Sequence, residues 1–131
     1  MNYIDSNIFI LALLNTDEEG VKARKIISKI SSGEQAVTSY LTLDEVMWKV
    51  KKFRSQKDAV NAAETMISTP NLLFITVDDE VMSKAIKAVK EINLDLRDAI
   101  HLSSMRKAGV TQIVSLDSHF DHVPQIKRIK I

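Results

Sequence analysis

The sequence predicts an α/β fold, a parallel sheet with helices on both faces, and three observations carry that prediction. Short apolar or β-branched runs alternate with helix-period segments along the whole chain. Residues 72–77 (LLFITV) form an unbroken apolar run of the kind that buried parallel strands require. Each parallel crossover needs a covering element, and the intervening helices supply one every time. With 131 residues, 45% apolar and 27% charged, the chain reads as one globular domain over residues 1–131. No internal repeat or low-complexity segment divides it.

The elements follow in order. Residues 2–4 form a short strand, Asp5 sits at a hinge, and residues 8–14 (IFILALL) are apolar all round. A strand this early, followed by such a run, belongs mid-sheet. Thr16-Asp17-Glu18-Glu19 reads as a capping box opening a helix that carries Val21, Ile26, Ile27 and Ile30 and closes at Gly33. Residues 35–38 form the second strand. Leu43, Val46, Met47, Val50 and Phe53 then keep a helical period over residues 40–53, with Glu45 near the start. A further helix over residues 57–67 ends at the Ser68-Thr69-Pro70-Asn71 turn, which makes the two helices antiparallel. After the 72–77 strand, Asp78 or Asp79 caps a helix reaching residue 92, and the next helix covers residues 96–107 with Gly109 as its stop. Residues 111–116 form a strand, and residues 127–131 alternate as an edge strand.

Composition narrows the chemistry. Without cysteine there are no disulfides, no thiolate metal sites and no cysteine nucleophile, so a metal site must use oxygen or imidazole. A formal net charge of +1 gives no global basic field, so nucleic acid would have to be met by local patches. The longest apolar run is far shorter than a membrane span, and the N-terminus has neither basic leader nor cleavage site. The expectation is a cytoplasmic protein without membrane contact.

Four acids stand where this topology gathers chain segments at one sheet edge: Asp5 after the first strand, Glu45 after the second, Asp98 in a late helix and Asp117 after the fourth strand. In open parallel sheets ligands collect at the carboxyl ends of the central strands. None of the four has a basic partner nearby in sequence, and carboxylates converging on one pocket repel unless a cation joins them. All-oxygen ligation suits Mg²⁺ or Mn²⁺, which pair a few carboxylates with substrate phosphate. Such sites acidify a bound water and steady a leaving oxygen, so the implied reaction is in-line phosphodiester hydrolysis.

The segments Tyr3-Ile4-Asp5-Ser6-Asn7, Leu43-Asp44-Glu45-Val46, Leu96-Arg97-Asp98-Ala99-Ile100-His101-Leu102 and Val114-Ser115-Leu116-Asp117-Ser118-His119-Phe120 together resemble the PIN domain family, in particular its small VapC-like toxin members. The resemblance covers nearly the whole chain with the motifs in order. It implies a three-layer α/β/α sandwich with a central parallel sheet, and a metal-dependent endoribonuclease whose acidic pocket is formed by Asp5, Glu45, Asp98 and Asp117. It further implies a homodimer and an antitoxin protein that silences the enzyme. Ser115 stands where the family often has threonine, which keeps the hydroxyl. Asn7, Ser115 and Asp121 are accessory candidates.

Taken singly, each acid has a plainer reading. Thr42-Leu43-Asp44-Glu45 matches a capping box, Asp98 suits first-turn dipole compensation, Asp117 suits a turn, and Asp5 suits a helix cap. The joint pattern favours the site. His101 is expected on the helix surface or supporting a ligand, and His119 and His122 on loop surface. Ser6 and Asn7 serve equally as helix caps or as groups orienting Asp5. Trp48 is expected in the core, with a dimer or antitoxin contact as alternatives. The basic run Lys49, Lys51, Lys52, Arg54 and Lys57 is either a solvated helix face or an RNA contact. The functional alternatives are a stand-alone RNA-processing nuclease and a non-catalytic PIN-like module that binds RNA or protein. A phosphatase or receiver domain fits less well, because no second aspartate stands beside or two residues after Asp5.

Overall fold

The two inner three-residue strands of this protein each place one side chain in each of two cores. In the computed structural model, which describes residues 1–131, strand β1 (Asn2–Ile4) sends Tyr3 to one face of the sheet and Ile4 to the other. Strand β2 (Ala36–Ser39) splits Val37 from Ala36, and β4 (Gln112–Val114) splits Ile113 from Val114, in the same way. With β3 (Leu72–Ile75) and β5 (Lys127–Ile129) the sheet has five strands in the order β3-β2-β1-β4-β5, all neighbours parallel. β1 is central, as its apolar flank predicts.

Helices α1 (Ser6–Leu14), α2 (Glu18–Ser31), α3 (Tyr40–Phe53) and α4 (Gln56–Ile67) cover one face, around Ile8, Phe9, Ala23, Ile30, Val46, Val50 and Met66. Helices α5 (Asp79–Ile92) and α6 (Leu96–Lys107) cover the other, around Val81, Ala85, Ala99, Leu102 and Met105. The result is the expected α/β/α sandwich. No helix is long and apolar enough to cross a membrane.

Several local expectations are corrected. The cap of α2 is Asp17, whose carboxylate accepts from the Gly20 amide, so the box beginning at Thr16 does not form. Gly20 is required there because a methyl group would lie 2.1 Å from the Asn15 carbonyl oxygen, where α1 turns into α2. The Thr42 box does not form either. α3 starts at Tyr40, as its period predicts, directly from β2, so Thr42 lies inside the helix, where it accepts the Thr38 hydroxyl at 2.8 Å. β3, read as a buried strand, is an edge strand with Leu73 57% exposed. Asp78 caps α5, and Gly109, at φ +72°, stops α6 as expected.

Candidate metal centre

Asp5 ends the central strand and caps α1. Its amide donates to the Val114 carbonyl, which holds it beside β4, and it is 4% exposed. One carboxylate oxygen, Oδ1, accepts from the Ser6 amide at 2.7 Å. The other, Oδ2, accepts from the Ser115 hydroxyl at 2.6 Å and from Asn7 Nδ2 at 3.2 Å. Asn7 also donates to Ser115 Oγ and accepts from the Leu116 amide, so it ties the loop after β4 to the first turn of α1. Asn7 and Ser115, the two accessory candidates flanking Asp5, therefore both touch it.

The four acids come together as two pairs, each bridged by a histidine. His101 of α6 places Nε2 2.6 Å from Glu45 Oε1 and 3.6 Å from Asp5 Oδ1. His119 places Nδ1 2.9 Å from Asp98 Oδ2 and 3.0 Å from Asp117 Oδ1. The pairs are joined twice. Asp98 and His101 lie one turn apart on α6, and the Asp117 amide donates to the same Ser115 hydroxyl that holds Asp5. Asp121 stays outside this arrangement. Arg128 takes both of its oxygens in a bidentate pair that holds the Asp121 carboxyl below the ordinary range, and a third guanidinium nitrogen donates to the Ser115 carbonyl.

The electrostatics follow from burial. Desolvation pushes the Asp98 carboxyl above the ordinary carboxylate value; the His119 hydrogen bond opposes this, while Asp117 and Asp95 push it further up. His119 is in turn raised by its hydrogen bond to Asp98 and by the charge of Asp117. Burial alone would depress the His101 imidazole, but Tyr3, the Glu45 hydrogen bond and Asp5 outweigh it and hold His101 well above the ordinary histidine value.

A hard divalent cation fits this donor set. Glu45 Oε2, Asp98 Oδ1 and Asp117 Oδ2 accept no hydrogen bond from the protein, and none is sealed away from solvent. Glu45, Asp98 and Asp117 thus each leave one oxygen open, the kind of donor a hard cation takes. No three of Asp5, Glu45, Asp98 and Asp117 have donor atoms within 4.8 Å of one another; those that come that close are of Asp95, Asp98 and His119. Two of those three are exposed, however, and Asp95 Oδ1 is already spent capping α6 through the Asp98 amide.

The histidines were legible in part: His101 takes the second of its two expected places, bonded to Glu45, and His119 is exposed as expected. His101 is 1% exposed and so is not on the helix surface, and His119, though exposed, is bound into the acidic cluster. Their only sequence signal is spacing: Asp98 to His101 is one helical turn, and Asp117 to His119 spans the short 3-10 turn Ser118–Phe120. Trp48 is 58% exposed and is not core. The ammonium groups of Lys49 and Lys52 lie over its ring and over that of Phe53.

The chain matches the family model described as PIN domain over residues 3–126. It is similar to Ribonuclease VapC13 of Mycobacterium tuberculosis, with 25% identity over 130 residues, 98% of this chain and 99% of the relative. Among solved structures, VapC20 of M. tuberculosis, a toxin that cleaves the sarcin-ricin loop, superposes with a TM-score of 0.80 at 18% identity, covering 95% of each chain. DNA-bound VapBC from Salmonella typhimurium superposes with a TM-score of 0.74 at 18% identity, over 99% of this chain and 98% of the other. These two structures share the fold.

Proposed function

The chain belongs to the PIN domain family, and from that premise we propose that it is a metal-dependent endoribonuclease, the toxin of a toxin–antitoxin pair. The observation that carries this reading is the cluster of Asp5, Glu45, Asp98 and Asp117 at the carboxyl edge of the sheet, with three carboxylate oxygens left open. The ribonuclease name of the VapC13 relative and the VapBC setting of the fold's neighbours support it. In this reading the four acids hold Mg²⁺ or Mn²⁺, and the ion when bound supplies Lewis-acid stabilisation to the phosphate and acidifies water.

The chain's own residues do the rest. Ser115, Asn7 and the Ser6 amide fix the Asp5 carboxylate through both of its oxygens, and His119 joins Asp98 to Asp117. Lys49 and Lys52, on the same helix as Glu45, are placed to meet RNA phosphates. The partners in this reading are RNA, an antitoxin protein and a second copy of the chain, and the setting is the cytoplasm.

The test is cleavage of a structured RNA pool by the purified protein in Mg²⁺, Mn²⁺ or EDTA, with Asp5→Asn and Asp98→Asn prepared in parallel. Cutting should need the metal and fall by at least about a hundredfold in either variant, since one lost ligand-shell contact already costs 10–100-fold. Wild-type cutting in either variant would remove these residues from the site. Metal-dependent stabilisation without cutting would instead favour the binding-module alternative.

A further inference from the structure

We propose that Tyr3 and His101 form a buried positioning relay for Glu45, one that dictates which of its carboxylate oxygens is left open. The inference rests on the reading of Glu45 as a metal ligand, and it adds two residues from the far side of the sheet edge. Tyr3 is 0% exposed and projects from β1; its hydroxyl lies 2.9 Å from Ser39 Oγ at the end of β2 and 2.7 Å from His101 Nδ1. The tyrosine and imidazole rings meet edge to face, 5.7 Å between centroids at 69°. From His101 the line continues through Nε2 to Glu45 Oε1 at 2.6 Å. Four elements, β2, β1, α6 and α3, are thereby joined through three hydrogen bonds.

Proton bookkeeping fixes the direction of the last bond. A carboxylate only accepts, so His101 Nε2 must carry a hydrogen to bond Glu45. On the other ring nitrogen two arrangements satisfy every atom. Either Nδ1–H donates to the tyrosine oxygen while its hydroxyl donates to Ser39, or Ser39 donates to Tyr3, which donates to a bare Nδ1. A phenol accepts and donates, so it serves both, and in both Nε2–H points at Glu45. The hydroxyl of Tyr3 therefore keeps the imidazole oriented whatever its charge. With Oε1 engaged in this way, Oε2 is the oxygen that remains free. A buried histidine oriented by a hydroxyl and itself orienting a ligand is a recurrent way for a protein to set ligand geometry from behind.

The experiment measures Mn²⁺ binding by calorimetry, with RNA cleavage recorded alongside, in the full chain and in Tyr3→Phe, His101→Gln and His101→Asn. Tyr3→Phe removes one oxygen and keeps the packing; Mn²⁺ affinity should fall about 10–100-fold, the usual cost of losing such a supporting contact. The two histidine variants separate positioning from packing. A glutamine amide nitrogen reaches where Nε2 sits and can still donate to Glu45, whereas asparagine ends near Nδ1 and cannot. His101→Gln keeps the donor to Glu45 but loses the tie to Tyr3, so its Mn²⁺ affinity should fall about as far as in Tyr3→Phe, and in His101→Asn it should fall further. Equal losses in the two, or unchanged affinity in Tyr3→Phe, would overturn the relay while leaving the metal site standing. A wild-type protein that binds no Mn²⁺ would overturn both.

Discussion

Asp98 is the acid in which charge and burial conflict most. It is 8% exposed, desolvation raises its carboxyl, and Asp117 and Asp95 add to the repulsion. Replacing it with asparagine removes a charge that the metal-free protein does not favour, so the Asp98→Asn variant that fails to cut should melt no lower than wild type in EDTA. It should also lose the rise in melting temperature that Mn²⁺ gives the wild type, since only a bound ligand stabilises the folded state. A differential scanning experiment with and without Mn²⁺ reads both effects. The four acids were legible because each follows a strand or opens a helix at one sheet edge, which sequence order alone reveals. The contacts of Tyr3 and the two histidines were not, because their partners are distant in the chain: Glu45 lies 56 positions before His101, and Asp98 lies 21 before His119. No local pattern encodes a contact of that range.

Elements were legible where they rest on periodicity and less so where a neighbour decides. The helical stripe of α3 could be read directly, and the cap at Asp78 and the stop at Gly109 bounded α5 and α6. By contrast, the apolar run at β3 gave no sign of its edge position, because Leu73 is apolar whether covered or not. The start of α3 at Tyr40 was legible from its period, whereas the capping box at Thr42 misled because Thr42 finds Thr38 on the preceding strand. Two tests belong at this scale. Gly20→Ala forces a methyl against the Asn15 carbonyl at the α1–α2 junction, and should lower unfolding free energy by about 1–3 kcal/mol in urea titrations. Asp78 joins the start of α5 to the end of α6 through Lys107, whose hydrogen bond depresses the aspartate's pKa. A depressed carboxylate adds stability above its unfolded value, about pH 4, and loses it as pH falls through the lower folded value. Asp78→Asn keeps the cap but not the charge. Its melting-temperature deficit should accordingly be full at neutral pH and shrink below about pH 4.

At the scale of the whole molecule, two cores share one sheet, and the parallel topology predicted from alternation is the one found. Among the exposed apolar side chains are two large aromatics on α3, Trp48 and Phe53, 58% and 60% exposed on the helix that carries Glu45. Surface of this kind is the sort that protein partners cover. Sedimentation velocity should give a mass about twice the 14.7 kDa of the chain, reverting to one copy in Trp48→Glu; a wild-type monomer would remove the homodimer from the proposal.

The hydroxyl on Asp5 comes from Ser115, 110 positions further along the chain. A growing polypeptide therefore presents Asp5 well before β4 and Asp117 have been made, and contacts of such separation close late in folding. Until then the Asp5 carboxylate lacks the hydroxyl that holds it and the acidic cluster is unfinished. Any partner that captures α1 to α4 as they emerge has the remaining time of synthesis in which to bind before the enzyme is complete.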